Sequence, residues 1–384
     1  MDLSLTLRKW PGLFERLDKI ITAERAAAWF SKIADTHAPS QTARYTRGPV
    51  LRDLLQKAGD IEGLSFHQNL WKTGNVAIAL GRQPGKPLWM MAHLDGISYA
   101  LGFREGDRYR LLPLCYHMSR TGRQQAVALG YAPEHGGLRI LAAGEIVTED
   151  DGSDIFFETP IDDLPKGTRV VYHYPAVVNW ETRSVYGNID NAFGCTALLL
   201  AASVLGPYHP NVLIVFPDEE EGQTGGGNQS FCKGSARLFN RCPRNQLPES
   251  VLVCDVHESK DMIDGPGSRS ATPGGGATFC ELSSRGRGGV TPPPLVSFHR
   301  DLARALALHG VHLQENMDGY VSRSDSISAM MFVQNIALVG YLGSHRHFDG
   351  IPEAHLNDLV DLAKVLAVYA LIAQSAEWRE DYLR

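Results

Sequence analysis

The chain has 384 residues, room for more than one folded unit at about 100–200 residues each. Hydrophobic residues make up 43% and charged residues 21%, the balance of an ordinary soluble globular protein. The formal net charge of −6 argues against a nucleic-acid surface. No segment approaches the ~20 apolar residues needed to cross a bilayer. The first ten residues, Met1 to Trp10, lack the apolar core of a secretion signal. The six cysteines are scattered without C-x-x-C spacing, and Cys195, Cys254 and Cys280 lie in apolar or small-residue contexts. Buried thiols and a reducing, cytoplasmic location are expected.

Residues 1–70 carry helical signals. Ala23 to Ala34 is rich in alanine, tryptophan and phenylalanine. Pro49 to Ala58 has proline near its start and Gly59 just past its end. Met1 to Trp10 shows no assignable pattern. The apolar run Leu88 to Ala92 then reads as a buried strand and leads into His93-Leu94-Asp95.

From about 102 to 183 the texture changes to short strand-like runs: Tyr109–Leu112, Leu138–Leu141, Ile155–Phe157 and Thr168–Tyr172. Gly, Asp and Pro turns separate them, which suits a small inserted β-barrel or sandwich. The larger α/β part is then residues 1–101 and 184–384.

After Ser184 the α/β pattern resumes. Asn188-Ile189-Asp190-Asn191 opens an apolar helical segment, Cys195 to Leu205. Asp190 stands where a helix N-cap is common, and equally where a carboxylate could bridge two cations. The strand Val212–Phe216 runs into Pro217-Asp218-Glu219-Glu220-Glu221-Gly222. Adjacent carboxylates at the edge of an apolar sheet repel and lose hydration unless a proton or cation sits among them. A solvated acidic turn is the simpler account of this run alone.

Val251 to Cys254 delivers Asp255. Ile336 to Tyr341 leads to His345-Arg346-His347. The basic stretch 228–249 reads as solvated surface. The Gly/Pro-rich stretch 264–294 reads either as a linker or as a substrate-facing loop. Gly274-Gly275-Gly276 lacks the Lys-Ser/Thr of a phosphate loop. Helices are expected over Leu295–Leu308 and His355–Ala373.

Ligands of open α/β sheets bind beyond the carboxyl ends of the strands. Four such ends here deliver His, Asp, Glu and His. These N/O donors suit zinc, cobalt or manganese. A lone His-x-Asp is a weak signal; the ordered set is much more specific. In it Asp95 can fix the tautomer and orientation of His93.

This order resembles the M42 family of metallo-aminopeptidases, within the clan of co-catalytic zinc peptidases that also holds M20 and M28. Gly74-Asn75-Val76 is similar to the family's Gly-Asn-hydrophobic stretch. His93-x-Asp95 resembles its His-x-Asp, and Asp190-Asn191-Ala192-Phe193-Gly194 its Asp-Asp-Arg-x-Gly. Glu219-Glu220-Glu221-Gly222-Gln223-Thr224-Gly225 resembles its Glu-Glu-x-Gly-x-x-Gly. Asp255-Val256 and Ser324-Asp325-Ser326 also have counterparts. The resemblance runs from about Gly74 to Leu371. The 96 residues between His93 and Asp190 leave room for an inserted domain where M42 carries one, unlike M20 or M28. Two departures stand out. Asn191 and Ala192 replace the family's second Asp and Arg, and the last His motif is longer than usual.

The resemblance implies a mixed central sheet flanked by helices, with the inserted β-domain serving assembly and substrate access. It implies two divalent ions, most simply zinc, sharing Asp190. His93 and Asp255 would hold one side, Glu220 and His347 the other. His347 fits the spacing to Asn357-Asp358 best, with His345 as competitor. Glu219 is then the general base, beside ions that acidify a water and polarise a carbonyl. The implied activity is removal of N-terminal residues from peptides by a homo-oligomer, with no nucleic-acid or membrane partner. A deacylase or carboxypeptidase acting on small amides is the alternative enzyme. An inactive binding or scaffold relative is the alternative outside catalysis.

Overall fold

The computed structural model describes residues 1–117, 121–132, 137–149, 154–222, 230–258, 271–283, 288–316, 324–345, 347 and 350–383. Gln223-Thr224-Gly225 of the acidic motif lies outside the described residues. So do 264–270 and 284–287 of the Gly/Pro-rich stretch, and Arg346.

A twelve-stranded mixed sheet forms the body of the molecule. Its centre is four adjacent parallel strands in the order Val212–Phe216, Leu88–Met91, Ser250–Val253 and Asn335–Ser344. The first three are buried along their whole length, which explains sequences that are apolar throughout except for Ser250. Their register sets Val215, Met91, Val253 and Leu338 side by side in one row. All four strands therefore end at the same edge. Antiparallel strands Val76–Leu80 and Leu64–His67 close one side.

Helices Ala23–Ala34, Ile189–Leu205 and Leu356–Ile372 pack together over one face. Thr22 starts the first by accepting a hydrogen bond from the Arg25 amide at 3.2 Å. Ile189–Leu205 is apolar on every side, so it can only be stable as an interior helix. The run Ile189–Tyr208 is in fact long and apolar enough to span a bilayer, contrary to the expectation from the sequence. The structure instead buries 94% of its most apolar 18-residue window within the protein. Each fully buried leucine there contributes about 1.5–3 kcal/mol by leaving water. Cutting one, as in Leu199→Ala, is expected to cost about 2–5 kcal/mol.

The inserted region folds as a closed six-stranded barrel. Its strand order is Tyr99–Glu105, Arg108–Pro113, Asp154–Glu158, Gly137–Glu149, Gly122–Ala132 and Arg169–Tyr172. Tyr99, Ile146, Phe157 and Val170 fill its interior. The short strands Val177–Val178 and Ser184–Tyr186 belong to the large sheet.

Met1 to Trp10, without a pattern in sequence, contains a short helix, Leu3–Leu7, capped by the Asp2 side chain. The basic stretch contains the helix Lys233–Arg241. Part of the Gly/Pro-rich stretch is the buried strand Ala277–Cys280. Ahead of it, the amides of Gly274 and Gly276 donate to the Asp358 carboxylate at 3.0 and 2.8 Å, so these glycines tie a loop to the helix Leu356–Ile372.

Candidate metal centre

His93 and Asp255 stand at the ends of neighbouring parallel strands, each two residues beyond the register row. His93 is 1% exposed and Asp255 3%. Nε2 of His93 lies 3.0 Å from Asp190 Oδ1, 3.8 Å from Asp255 Oδ1 and 3.9 Å from Glu220 Oε2. Its Nδ1 lies 3.0 Å from the Asp95 carbonyl, so the proton belongs on Nδ1 and Nε2 is left for a cation.

Asp95 is fully buried and serves as the keystone behind this cluster. Its carboxylate accepts from Ser40 Oγ at 2.6 Å and from the backbone amides of Glu220 and Glu221 at 3.1 and 3.3 Å. Asp95 thus fixes His93 through its backbone carbonyl and the acidic turn through its carboxylate. Arg47, itself buried, donates from Nη1 to the Leu94 carbonyl at 2.8 Å. The acidic turn is clamped further at Asp218, which accepts from the amides of Gln41 and Ala43. The Asp218 amide donates to Asn75 Oδ1, which gives the Asn of Gly74-Asn75-Val76 its local purpose. Gly222 is required sterically, since a Cβ there would lie 1.9 Å from the Ser230 carbonyl oxygen.

Asp190 stands on a non-helical entry to the helix Ile189–Leu205. The Tyr341 hydroxyl lies 2.9 Å from the Ile189 carbonyl and 3.3 Å from Asn191 Oδ1, which pins this entry to the strand Asn335–Ser344. Asn191 donates from Nδ2 to the Cys254 carbonyl at 2.8 Å and accepts from the Gly194 amide at 3.1 Å. An ionised Asp could not donate to that carbonyl, so the amide fits this chain.

Two groups of three side chains could each hold an ion. One is His93, Asp190 and Asp255; the other is Asp190, Glu221 and His347. In each, the ligand atoms lie within 4.8 Å of one another, and Asp190 is common to both. His347 Nε2 is 3.4 Å from Asp190 Oδ2 and 3.9 Å from Glu221 Oε2. Of the two histidines weighed for the last position, His347 is buried in this group and His345 is exposed.

The acidic run is placed one residue later than its motif implies. Glu221, not Glu220, shares the second group with His347. Glu220 lies between, close to His93, and is 5% exposed. Glu219 turns away from the cluster. Arg237 Nη2 pairs with its Oε2, and Gln41 Nε2 donates to its Oε1 at 3.2 Å. The reason lies in the turn, where Glu219 has a left-handed φ of 60° that reorients its side chain. Glu221 stood in the same run and was identifiable as a donor. Ser40, Gln41, Arg47 and Arg237 carry no motif and are brought in by the tertiary fold.

The electrostatics call for positive charge. Burial, with Glu221 adding repulsion, holds the Glu220 carboxyl well above its ordinary range despite nearby His93. Burial likewise pushes Glu221 up to about 7 and Asp255 up to about 6. Burial disfavours the His93 imidazolium, but Glu220, Asp190 and Asp95 outweigh it and hold its pKa above the usual value. Asp190 resists its own burial because His347 and His93 flank it, and stays well below the carboxylate range. Glu221 Oε1 is buried without a hydrogen-bond partner. Cations would satisfy that oxygen and relieve the crowded carboxylates, and a His/carboxylate donor set suits them.

The chain matches no protein-family model and no curated protein. Solved structures do match. A TET aminopeptidase from the marine sediment archaeon Thaumarchaeota archaeon SCGC AB-539-E09 aligns with TM-score 0.72 at 15% identity, over 94% of this chain and 99% of that one. An aminopeptidase from Desulfurococcus kamchatkensis aligns with TM-score 0.70 at 18% identity, over 94% and 98%. The TET1 peptidase of Pyrococcus horikoshii, described as assembling into a tetrahedron or a large octahedral shell, aligns with TM-score 0.66 at 15% identity, over 90% and 99%. The mixed sheet with its flanking helices is thus the fold of the TET aminopeptidases, as the M42 resemblance implies.

Proposed function

We propose that this protein is a metal-dependent aminopeptidase that removes N-terminal residues from peptides using two divalent ions. The observation that carries the reading is the pair of ligand groups sharing Asp190, with Glu220 beside them. The fold shared with TET aminopeptidases over nearly the whole length supports it. His93, Asp190 and Asp255 would hold one ion, and Asp190, Glu221 and His347 the other. Zinc is the first candidate, with cobalt or manganese as alternatives. When bound, such ions acidify a water and polarise the scissile carbonyl.

Glu220 takes the general-base role in this proposal. It faces the cluster, belongs to neither ligand group, and adjoins Glu221. It would accept a proton from the attacking water and return it to the leaving amine. Glu219 instead stabilises the turn through Arg237 and Gln41. Asp95 positions His93 and the turn. We further propose a homo-oligomer, as the described assembly of the TET1 peptidase suggests, and a cytoplasmic location.

Three glutamine variants, assayed for kcat and bound metal together, separate these roles. Glu220→Gln is expected to keep its metal and lose about 10²–10⁴-fold in kcat. Glu221→Gln is expected to lose metal first. Glu219→Gln should do least of the three. Largest loss of kcat in Glu219→Gln with metal retained would restore the base to that residue. The substrate class is tested by the metal-reconstituted protein on aminoacyl, acyl and C-terminal amide reporters; hydrolysis confined to the last two overturns the aminopeptidase reading.

A further inference from the structure

We propose that the barrel is part of the ion-binding apparatus, because its His117 anchors the Tyr116 carbonyl that orients His347. This rests on the reading of His347 as a ligand given above. His347 lies three residues past the strand Asn335–Ser344 and has a left-handed φ of 53°. Its Nδ1 lies 2.7 Å from the carbonyl oxygen of Tyr116, a residue just past the barrel strand Arg108–Pro113. Donation from Nδ1–H to that carbonyl leaves the Nε2 lone pair directed toward Asp190 and Glu221. A partner of this kind sets both the tautomer and the ring plane of a ligating histidine.

The carbonyl is itself held. The Leu114 amide donates to the Ser98 carbonyl at 2.9 Å. His117 turns into the barrel, where its Nδ1 lies 2.7 Å from the Tyr99 hydroxyl and its Nε2 3.2 Å from Thr148 Oγ1. The Tyr99 hydroxyl is also 3.0 Å from that of Tyr172. Tyr99, Thr148 and Tyr172 are each 2% exposed or less. Three barrel strands, Tyr99–Glu105, Gly137–Glu149 and Arg169–Tyr172, therefore fix one imidazole, which fixes the peptide unit facing His347. His117 is a positioning residue here: it acts on the ion only through His347.

The test is a stepwise cobalt(II) titration of the full chain, followed by absorbance, for wild type, His117→Leu, His347→Ala and the double variant. The ion weakened in His347→Ala identifies the step to follow. His117→Leu is expected to weaken that ion about 10–100-fold and to spare the other, the range seen when a ligand's orienting partner is removed. In the His347→Ala background the same change should add nothing, since coupled residues do not sum. Equal weakening of both ions, an additive loss in the double variant, or no loss overturns the inference. A wild type that takes one ion overturns the two-ion reading instead, and the inference is then judged on that ion by the same coupling. If His117→Leu does not fold, Tyr99→Phe removes one hydroxyl from the same chain of contacts. It should give the same coupling with a smaller loss.

Discussion

His93 and Asp255 stand two residues beyond a row of paired strand residues, whereas Glu221 and His347 hang on turns six and nine residues past the same row. Strand register alone places the first pair, and Asp95 braces it. The second pair depends on contacts that come from elsewhere: the Asp95 carboxylate on the Glu221 amide, and the Tyr116 carbonyl on His347. One half of the centre is thus dictated by the sheet and the other by what packs over it. The sheet-placed half and the half held by packing each supply two members of one ligand group, and the two groups share Asp190.

Asp190 is where the two halves meet, so its substitution is the most severe way to break the comparison. Asp190→Asn removes the shared negative charge from both ligand groups while keeping shape. Loss of both ions and of turnover is expected, measured by elemental analysis and an aminoacyl-reporter assay. Retention of one ion with full affinity would show that the halves do not share the residue.

A smaller effect is expected at Ser40. Its hydroxyl is one of three donors to the Asp95 carboxylate, the others being the Glu220 and Glu221 amides. Removing a supporting hydrogen bond of this kind costs about 10–100-fold, and two surviving donors put Ser40→Ala near tenfold in kcat/KM. Because Asp95 braces His93 and the acidic turn together, both ions should weaken by similar factors. A loss confined to one ion would assign Ser40 to a single half.

The same contrast explains what was legible in the sequence. Four apolar strands, their common edge, and His93, Asp190 and Asp255 follow from hydrophobic runs and the residues that end them. The barrel announced itself by its texture, yet the strand Gly122–Ala132 escaped and only the start of Gly137–Glu149 was read, at Leu138–Leu141. Their apolar cores, Ala126–Leu129 and Ile140–Ala143, are short and flanked by glycines and polar residues, so the full lengths carry no continuous signal. The acidic run was recognised but its phase was not. Three consecutive glutamates give no internal signal of which one faces inward, and the left-handed φ at Glu219 decides it. Histidine spacing favoured His347 over His345, but the Tyr116 contact spans 231 residues of sequence and has no local signature. Asp190 also shows a limit of capping logic. The residue opens a helix and still turns its carboxylate toward His93 and His347.

The last expected effect, absent at neutral pH, concerns a buried histidine of the opposite kind. His93 has carboxylates around it, which raise its pKa despite burial. His299, on the helix Pro293–Ala307, has none: both ring nitrogens are buried without hydrogen-bond partners among Phe279, Phe298 and Tyr369. Burial pushes its pKa down to about 3 from the ordinary 6.5. Above that ordinary value, neither folded nor unfolded chain protonates this ring, and it contributes nothing to pH dependence. As pH falls below it, the unfolded chain binds a proton that the folded chain refuses. Stability is therefore lost with a slope of up to about 1.4 kcal/mol per pH unit, until the folded ring also titrates. His299→Phe keeps an aromatic ring and removes the proton. The difference in unfolding free energy between variant and wild type, followed by urea denaturation from pH 7 to pH 4, should shift toward the variant as pH falls. The carboxylate cluster titrates in both proteins and cancels from that difference. A pH-independent difference would mean that His299 finds a partner when protonated, and the contrast between the two kinds of buried histidine would not hold.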